Sequence, residues 1–248
     1  MQREARDAAG AKGLFVEDRL KLLLPGWLYF AHKIAKEARR GEPELLVLRD
    51  MVRPGCTAVD VGANRGFYSH ALARIARRVE AFEPNPAVAA FARAKLGRRV
   101  RLHEVALSDR DGTAAFYVPR TPDGHGMHLL GNLGNFHRTP DLDRSEVRLA
   151  TLDSFGFTDV GFIKIDVEGS ELEVIAGARA TIARDRPNLL VELLTRPAEE
   201  AQTLIDRIEG EFGCASWIIH ERSRKPAREL LQGPRAAIRT NNVLFTPR

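Results

Sequence analysis

The sequence is poor in cysteine: its 248 residues include only two, Cys56 and Cys214, which lie far apart. Neither cysteine belongs to a CxxC pair or to a cysteine and histidine pattern with zinc-finger spacing. The pattern therefore excludes a disulfide framework and a structural zinc site. A reduced, cytoplasmic setting follows as the expectation.

Long apolar runs are also lacking, since none approaches the roughly 20 residues that a membrane-spanning helix needs. The first 12 residues are polar, and charged residues between positions 17 and 21 interrupt the apolar stretch after them. This arrangement does not match a signal peptide. Repeats and low-complexity segments are absent as well. The composition therefore predicts one soluble α/β domain with a modest extension.

The net charge of +5 favours anionic partners in general. Arginines are scattered along the chain, however, and no basic stripe alternates with aromatic residues, which are only 7% of the sequence. A nucleic-acid groove needs such a stripe. We therefore expect a generally solvated basic surface and no nucleic-acid partner.

Residues 1–53 are interpreted as an N-terminal helical extension packed on the core, and residues 54–248 as the main domain. Helical spacing of apolar residues predicts an amphipathic helix from Trp27 to Ala38. We expect its apolar face to pack on the main domain, with peripheral membrane contact as the alternative. A second helix, Glu44 to Met51, ends before the turn at Pro54-Gly55. The apolar stripe of the first helix consists of Trp27, Leu28, Ala31, Ile34, Ala35 and Ala38.

After this turn, short apolar runs alternate with helical stretches, which indicates βαβ units and a mostly parallel sheet. The fold class predicted is a Rossmann-like α/β fold with seven strands. Pro86 suits the first turn of its helix. The predicted strands are Ala58–Val61, Val79–Phe82, Val100–His103, Phe162–Asp166, Leu189–Glu192, Ser216–Ile219 and Val243–Phe245, and the helices are Phe67–Ala76, Pro86–Leu96, Glu171–Ala178 and Ala198–Phe212.

One long connection, at about residues 112–154, interrupts this alternation. It contains a predicted hairpin, Ala114–Val118 with Val147–Ala150, joined by a segment rich in Gly, His, Asn and Pro. Long connections of this kind are often lids or binding loops. We expect it near the carboxyl ends of the strands, where open α/β sheets bind ligands.

The first strand leads into a glycine turn. Asp60 ends the strand, Gly62 and Gly66 allow a tight turn, and the helix from Phe67 offers free N–H groups that suit a carboxylate. The spacing does not match the G-x-G-x-x-G pattern of dinucleotide sites. A site for a small amino acid carboxylate is favoured, and an ordinary βα turn is the alternative.

Two further strand ends agree with a nucleoside ligand. Glu83 closes the second strand about 20 residues after the turn, where an acid accepts hydrogen bonds from ribose hydroxyls. The third strand runs into Val105 to Asp109, where a small apolar residue and a polar partner could bracket an adenine. A surface glutamate and an ordinary strand-end turn remain the alternatives.

The fourth strand ends in Lys164-Ile165-Asp166. In a doubly wound sheet it neighbours the first strand, so Asp166 is expected to face the same crevice as Gly62. Lys164 alternates with Asp166 and needs an ion-pair partner within a buried strand, for which Glu192 on the next strand is the candidate. Glu168 and Glu171, which follow, would alternatively start the next helix.

Together these segments resemble the FkbM family of S-adenosylmethionine-dependent O-methyltransferases. The resemblance extends in order from about Glu44 to Glu192. It implies a parallel sheet with a reversed last strand and methylation of hydroxyl groups on sugars, glycans, lipids or polyketide-type products. It rests on the segments Val59–Ser69, Phe82–Pro86, Val105–Asp109, Thr151–Ser154 and Ile163–Glu171.

The resemblance also implies the residues of the cofactor site. Gly62, Asn64 and Gly66 would hold the methionine part of S-adenosylmethionine, and Glu83 the ribose. Ala106 to Asp109 would lie on the adenine side. The full predicted set is Asp60, Gly62, Asn64, Gly66, Tyr68, Glu83, Asn85, Ala106, Asp109 and Asp166.

Methylation of an alcohol needs orientation of its oxygen and removal of its proton. Asp166 and His128 are the predicted catalytic residues, with His125 and His137 as further candidates for the base. A divalent cation shared by Asp166 and Glu168 stays possible, because oxygen ligands suit magnesium.

Other functions remain open. An RNA methyltransferase is the rival enzyme, although the Asn/Asp-Pro-Pro-aromatic motif of amino methylation is absent. A non-catalytic cofactor-binding or scaffold protein of the same fold is the second rival. An NAD-dependent enzyme ranks last because the glycine spacing is wrong. The acceptor, the oligomeric state and the need for a metal are not determined by the sequence.

Overall fold

The computed structural model describes residues 23–40, 42–119, 133, 142–234 and 237–248. Helices and strands are numbered over these residues. The helices are α1 Gly26–Arg40, α2 Glu44–Met51, α3 Phe67–Leu72, α4 Pro86–Lys95, α5 Glu171–Ala176, α6 Arg179–Asp185, α7 Ala198–Phe212 and α8 Ala227–Leu231. The strands are β1 Thr57–Val61, β2 Arg78–Phe82, β3 Val100–His103, β4 Ala106–Leu107, β5 Gly112–Pro119, β6 Leu142–Ala150, β7 Val160–Ile165, β8 Asn188–Glu192, β9 Cys214–His220, β10 Ser223–Pro226 and β11 Asn242–Pro247.

The central sheet has the order β10-β9-β11-β8-β7-β1-β2-β3. β1 pairs in parallel with β2 and β7, while β11 runs antiparallel to both β8 and β9. The predicted α/β class and reversed last strand are confirmed. The predicted number of seven strands is wrong, because Ser223–Pro226 adds an eighth at the edge. All four of its residues are exposed, so no alternating apolar pattern indicated a strand.

Side chains alternate between the two faces of the sheet and form two apolar cores. Val59 and Val61 of β1 face the core that includes α5, α6 and α7. Ala58 faces the opposite core with α2 and α3. Asp60 shares the strand face of Ala58, and Lys164 that of Phe162. Both polar side chains are thereby directed toward α2 and α3 rather than toward solvent.

Helix α1 packs on the domain mainly through two aromatic residues that the predicted stripe did not include. Phe30 stacks on His70 with ring centroids 4.4 Å apart, and Tyr29 packs edge-on against Phe91. Ile34 of the predicted stripe packs against this cluster, whereas Trp27 is 68% exposed and Leu28 42%. The stripe therefore packs only in part, because the bulkier aromatic pair occupies the inner face. Among the described residues no helix is long and apolar enough to cross a membrane.

The predicted hairpin is present and longer than expected. β5 and β6 pair antiparallel along their whole length, and β4 joins β6 in parallel to form a separate three-stranded sheet. Two predicted helices end early, at Leu72 and at Ala176, the latter followed by α6. Pro86 does occupy the first turn of α4, which Asn85 caps by accepting the Ala87 N–H at 3.1 Å.

Close packing between α5 and the β4 loop gives a stability test. A Cβ on Gly177 would lie 1.9 Å from the carbonyl oxygen of Ser108, whereas a Cβ on Gly210 in α7 would meet nothing within 4 Å. We expect Gly177→Ala to lower the free energy of unfolding by about 1–3 kcal/mol. Gly210→Ala should raise it by about 0.5–1 kcal/mol through helix propensity. Urea unfolding of both variants measures the difference, and equal stabilities would contradict the packing.

Candidate functional site

A cavity of about 250 Å³ opens at the carboxyl ends of β1, β2 and β7. This is the edge of the sheet at which open α/β folds bind ligands. Seven of the predicted site residues line it: Asp60, Gly62, Asn64, Tyr68, Glu83, Ala106 and Asp166.

The glycine turn follows β1 directly and touches the end of β7. Gly62 has φ +77°, and a Cβ there would lie 1.7 Å from the carbonyl oxygen of Asp166. Only glycine fits such an approach in the left-handed region. Asn64 also has a positive φ, of 51°. The turn therefore holds β1 and β7 in contact at the floor of the cavity.

The backbone N–H groups of the turn itself are already used within the protein, since all five from Gly62 to Gly66 donate within the chain. The expectation concerned the helix that begins at Phe67, and free N–H groups at its start stay a prediction. The N–H groups of Gly62 and Ala63 donate to the Phe82 carbonyl, that of Asn64 to Glu83, that of Arg65 to the Asn64 side chain, and that of Gly66 to the Ala63 carbonyl.

Glu83 is the buried acid of the site. Its two carboxylate oxygens accept the backbone N–H groups of Asn64 at 2.9 Å and of Asn85 at 2.8 Å. The side chain is 7% exposed, and burial raises the pKa of its carboxyl to about 7. The remaining lone pairs face a cavity with an apolar wall, so Glu83 can accept hydroxyl groups there. That wall consists of Val61, Phe82, Val105, Ala106, Leu107, Phe116 and Leu133.

Asp60 acts within the protein rather than at an open surface. Its carboxylate accepts the Ser69 hydroxyl of α3, and its side chain is almost fully buried. Burial raises the pKa of Asp60 to about 6. The contact fixes α3, and with it Tyr68, against the end of β1.

A buried ammonium, that of Lys164, ties several elements together. It lies 3.2 Å from the Asp166 carboxylate and donates to the Asn242 side chain at 3.0 Å. The Asn242 amide in turn donates to Glu42 at 2.9 Å, and Glu42 accepts the Tyr68 hydroxyl at 2.7 Å. Burial acts to lower the pKa of Lys164, but the surrounding carboxylates outweigh it and raise that pKa. The ion-pair partner is therefore Asp166 and not the expected Glu192, which acts on Lys164 at longer range.

Asp166 and Glu192 share a hydrogen bond at the end of β7 and β8. Burial acts to raise the pKa of Asp166, but the charge of Lys164 outweighs it and holds that pKa below its usual value. Burial and the Asp166 charge raise the pKa of Glu192. The two shifts have opposite directions, so they favour a charged Asp166 and a protonated Glu192.

The cavity has a third carboxylate beside this pair. One carboxylate oxygen from each of Asp166, Glu168 and Glu192 lies within 4.8 Å of the others. Burial and the charge of Asp166 raise the pKa of Glu168. The buried Lys164 ammonium already supplies a positive charge to this cluster. A divalent cation at Asp166 and Glu168 stays a prediction.

Three residues of the cavity come from the N-terminal part of the chain and were not predicted. Lys33 and Glu37 of α1, and Glu42 after it, lie on its wall. Lys33 and Glu37 form an ion pair at 2.7 Å. One helical turn separates them, which is typical of any solvated helix. Their sequence pattern therefore carried no signal of a site.

Three predicted residues do not line the cavity. Gly66 packs against Leu96, since a Cβ there would lie 2.9 Å from that side chain. Asn85 serves as the α4 cap, and Asp109 is exposed beside Arg110 at 2.9 Å. The predicted base His128, like His125 and His137, lies outside the described residues.

Lys164 provides a test of the site's electrostatics. We expect Lys164→Met to lower the free energy of unfolding by about 3–5 kcal/mol at neutral pH, because it leaves buried carboxylates without their cation. The depressed pKa of Asp166 means that its stabilising charge is lost in the wild type as pH falls. In the variant the buried carboxylates favour protonation. The difference in free energy of unfolding between the wild type and the variant should therefore shrink toward pH 5. Urea unfolding across pH measures this, and a pH-independent difference would contradict it.

The sequence of the chain is similar to those of known methyltransferases. A sequence model of the Methyltransferase FkbM domain matches residues 60–220. The chain is 30% identical over 177 residues to the 2-O-methyltransferase NoeI of Sinorhizobium fredii, covering 62% of this chain and 72% of that protein. It is 33% identical over 194 residues to the 31-O-demethyl-FK506 methyltransferase FkbM of Streptomyces tacrolimicus, covering 63% and 74%.

A solved structure has the same fold. The crystal structure of Methyltransferase FkbM from Methylobacillus flagellatus KT aligns with a TM-score of 0.51 and 18% identity over 99% of this chain. This chain spans 59% of the length of that protein. The match to the family model covers well over half of the chain and includes the glycine turn, Glu83 and the Lys164 to Glu171 run. The chain belongs to the FkbM methyltransferase family.

Proposed function

We propose that the protein transfers the methyl group of S-adenosylmethionine to a hydroxyl group of a sugar, glycan, lipid or natural-product acceptor. The observation that carries the proposal is one cavity in which the buried acid Glu83, an apolar wall and the Lys164–Asp166 ion pair meet. The names of two relatives, NoeI and FkbM, both specify O-methylation, which supports an oxygen acceptor.

The residues of the cavity fit S-adenosylmethionine. Glu83 would accept the ribose hydroxyls, since its two N–H partners fix its carboxylate in place. The apolar wall around Ala106 and Phe116 suits the adenine ring. Gly62 lets the turn approach the end of β7 at the floor because it has no side chain.

When bound, S-adenosylmethionine supplies an electrophilic methyl group on a sulfonium. The chain's part is to orient the acceptor oxygen and to take its proton. Asp166 is the proposed proton acceptor because it lines the cavity and its side chain is 31% exposed. The Lys164 ammonium holds its carboxylate in position. Glu192 already holds one proton of the pair, so the hydroxyl proton goes to Asp166 itself.

Transfer to a panel of hydroxylated acceptors tests the proposal. We expect labelled methyl from S-adenosylmethionine to appear as an ether on at least one sugar, glycan, lipid or polyketide-type alcohol. Asp166→Asn should keep cofactor binding within a few-fold but lower turnover by about 10²–10⁴-fold, as loss of a general base does. Gly62→Val should abolish binding through the clash with the Asp166 carbonyl.

Matched controls for these variants are Glu173→Gln, which is exposed on α5, and Gly97→Ala, where a Cβ would meet nothing within 4 Å. Both should behave like the wild type in binding and turnover. Calorimetry that detects no binding of S-adenosylmethionine to the wild type would overturn the proposal. Full turnover by Asp166→Asn would remove Asp166 as the base.

The pKa of Glu83 predicts how cofactor binding depends on pH. Hydroxyl groups donate more strongly to an ionised than to a protonated Glu83, so the bound state favours the charged form. Affinity for S-adenosylhomocysteine should therefore fall as pH drops through about 7, by about tenfold between pH 8 and pH 6. Glu83→Gln should bind more weakly but without this pH dependence. Calorimetry at several pH values measures both, and a flat wild-type profile would contradict the role of Glu83.

A further inference from the structure

We propose that helix α1 recognises the methionine half of S-adenosylmethionine, with Lys33 pairing with its α-carboxylate and Glu37 with its α-ammonium. The inference rests on the proposed function, because it assigns residues to one end of the cofactor. Both residues lie before position 60, where the match to the family model begins. They would be an addition of this chain to the site that its motifs provide.

The amino acid end of the cofactor is a zwitterion, and both of its charges need partners in a partly buried cavity. Free N–H groups of a glycine turn are one usual source of partners for the carboxylate. Here the five consecutive N–H groups from Gly62 to Gly66 all donate within the protein. The turn's own N–H groups are therefore not available to the carboxylate, and a cationic side chain in the cavity wall is a partner that can pair with it.

Only two cations line the cavity among the residues that the structure describes, Lys33 and Lys164. The Lys164 side chain is 1% exposed, and its ammonium is held by Asp166 and Asn242. Moving it to a ligand would leave Asp166 without its cation. The Lys33 side chain is 33% exposed, so its ammonium can reach a ligand without breaking a buried network.

Lys33 lies beside the start of the helix that follows the glycine turn. Its ammonium is 5.8 Å from the ring centroid of Phe67, the first residue of that helix. The family resemblance assigns the methionine part of the cofactor to Gly62, Asn64 and Gly66 of this turn. A cation beside the turn is therefore placed to reach the methionine part.

Glu37 completes the site with a charge of the opposite sign. It forms a 2.7 Å ion pair with Lys33. A carboxylate and an ammonium on one carbon can be inserted between such a pair, each charge meeting its opposite. The helix that carries the pair is anchored by Phe30, stacked on His70, and by Tyr29 against Phe91. The pair is therefore held beside the cavity before any ligand binds.

Three ligands distinguish the contributions that the α-carboxylate and the α-ammonium make to binding. S-adenosylmethionine has both, decarboxylated S-adenosylmethionine keeps only the ammonium, and methylthioadenosine has neither. Calorimetry should show that Lys33→Met weakens binding of S-adenosylmethionine about tenfold, a typical loss for one charge-assisted contact. Binding of the other two ligands should be unchanged. Glu37→Gln should weaken binding of the first two ligands and leave methylthioadenosine unaffected.

Lys36→Met is the matched control, since Lys36 is exposed on the same helix and does not line the cavity. It should bind all three ligands like the wild type. An equal loss of all three ligands by Lys33→Met would assign the residue a merely structural role and overturn the inference. Unchanged binding of S-adenosylmethionine by that variant would overturn it too. A wild type that binds none of the ligands would overturn the proposed function together with this inference.

Discussion

The site depends on the burial of one positive charge, the ammonium of Lys164, at the centre of the sheet. A lone charge in that position would be costly, so the surrounding elements must each bring a partner. β7 brings Asp166, β11 brings Asn242, and the segment between α1 and α2 brings Glu42. Because Tyr68 of α3 also donates to Glu42, one charge fixes the relative positions of two strands, a helix and the N-terminal segment.

This network explains why acids of such different character lie in one cavity. The charge of Lys164 holds the pKa of Asp166 below its usual value, whereas burial and the charge of Asp166 raise the pKa of Glu192. Burial raises the pKa of Glu83 to about 7, although its two backbone N–H partners act to lower it. The environment, rather than the residue type, therefore separates an acid that can take a proton from one that can accept hydroxyl groups.

The sequence could predict features that depend on contiguous residues. β1 and β7 are continuous apolar runs with buried side chains, and the glycine turn and Glu83 follow strands at fixed offsets. What it could not predict depends on tertiary contacts. For example, the N–H groups of Gly62 and Ala63 in the turn both donate to the carbonyl of Phe82, which lies on another strand. Tyr29 and Phe30 are buried on the inner face of α1, whereas Trp27 is exposed. This orientation of the helix places Lys33 at the cavity.

Under the proposed function, the charges of the cavity also bear on the direction of the reaction. S-adenosylmethionine carries one positive charge more than its product, S-adenosylhomocysteine. Among the described residues that line the cavity, carboxyl groups outnumber cations. Attraction to these carboxylates therefore favours the methylated cofactor over its product. When the acceptor proton moves to Asp166, that carboxyl loses its charge at the same time as the sulfonium does. The ion pair with Lys164 then weakens, so deprotonation of Asp166 to solvent restores both the network and the affinity for a new cofactor molecule.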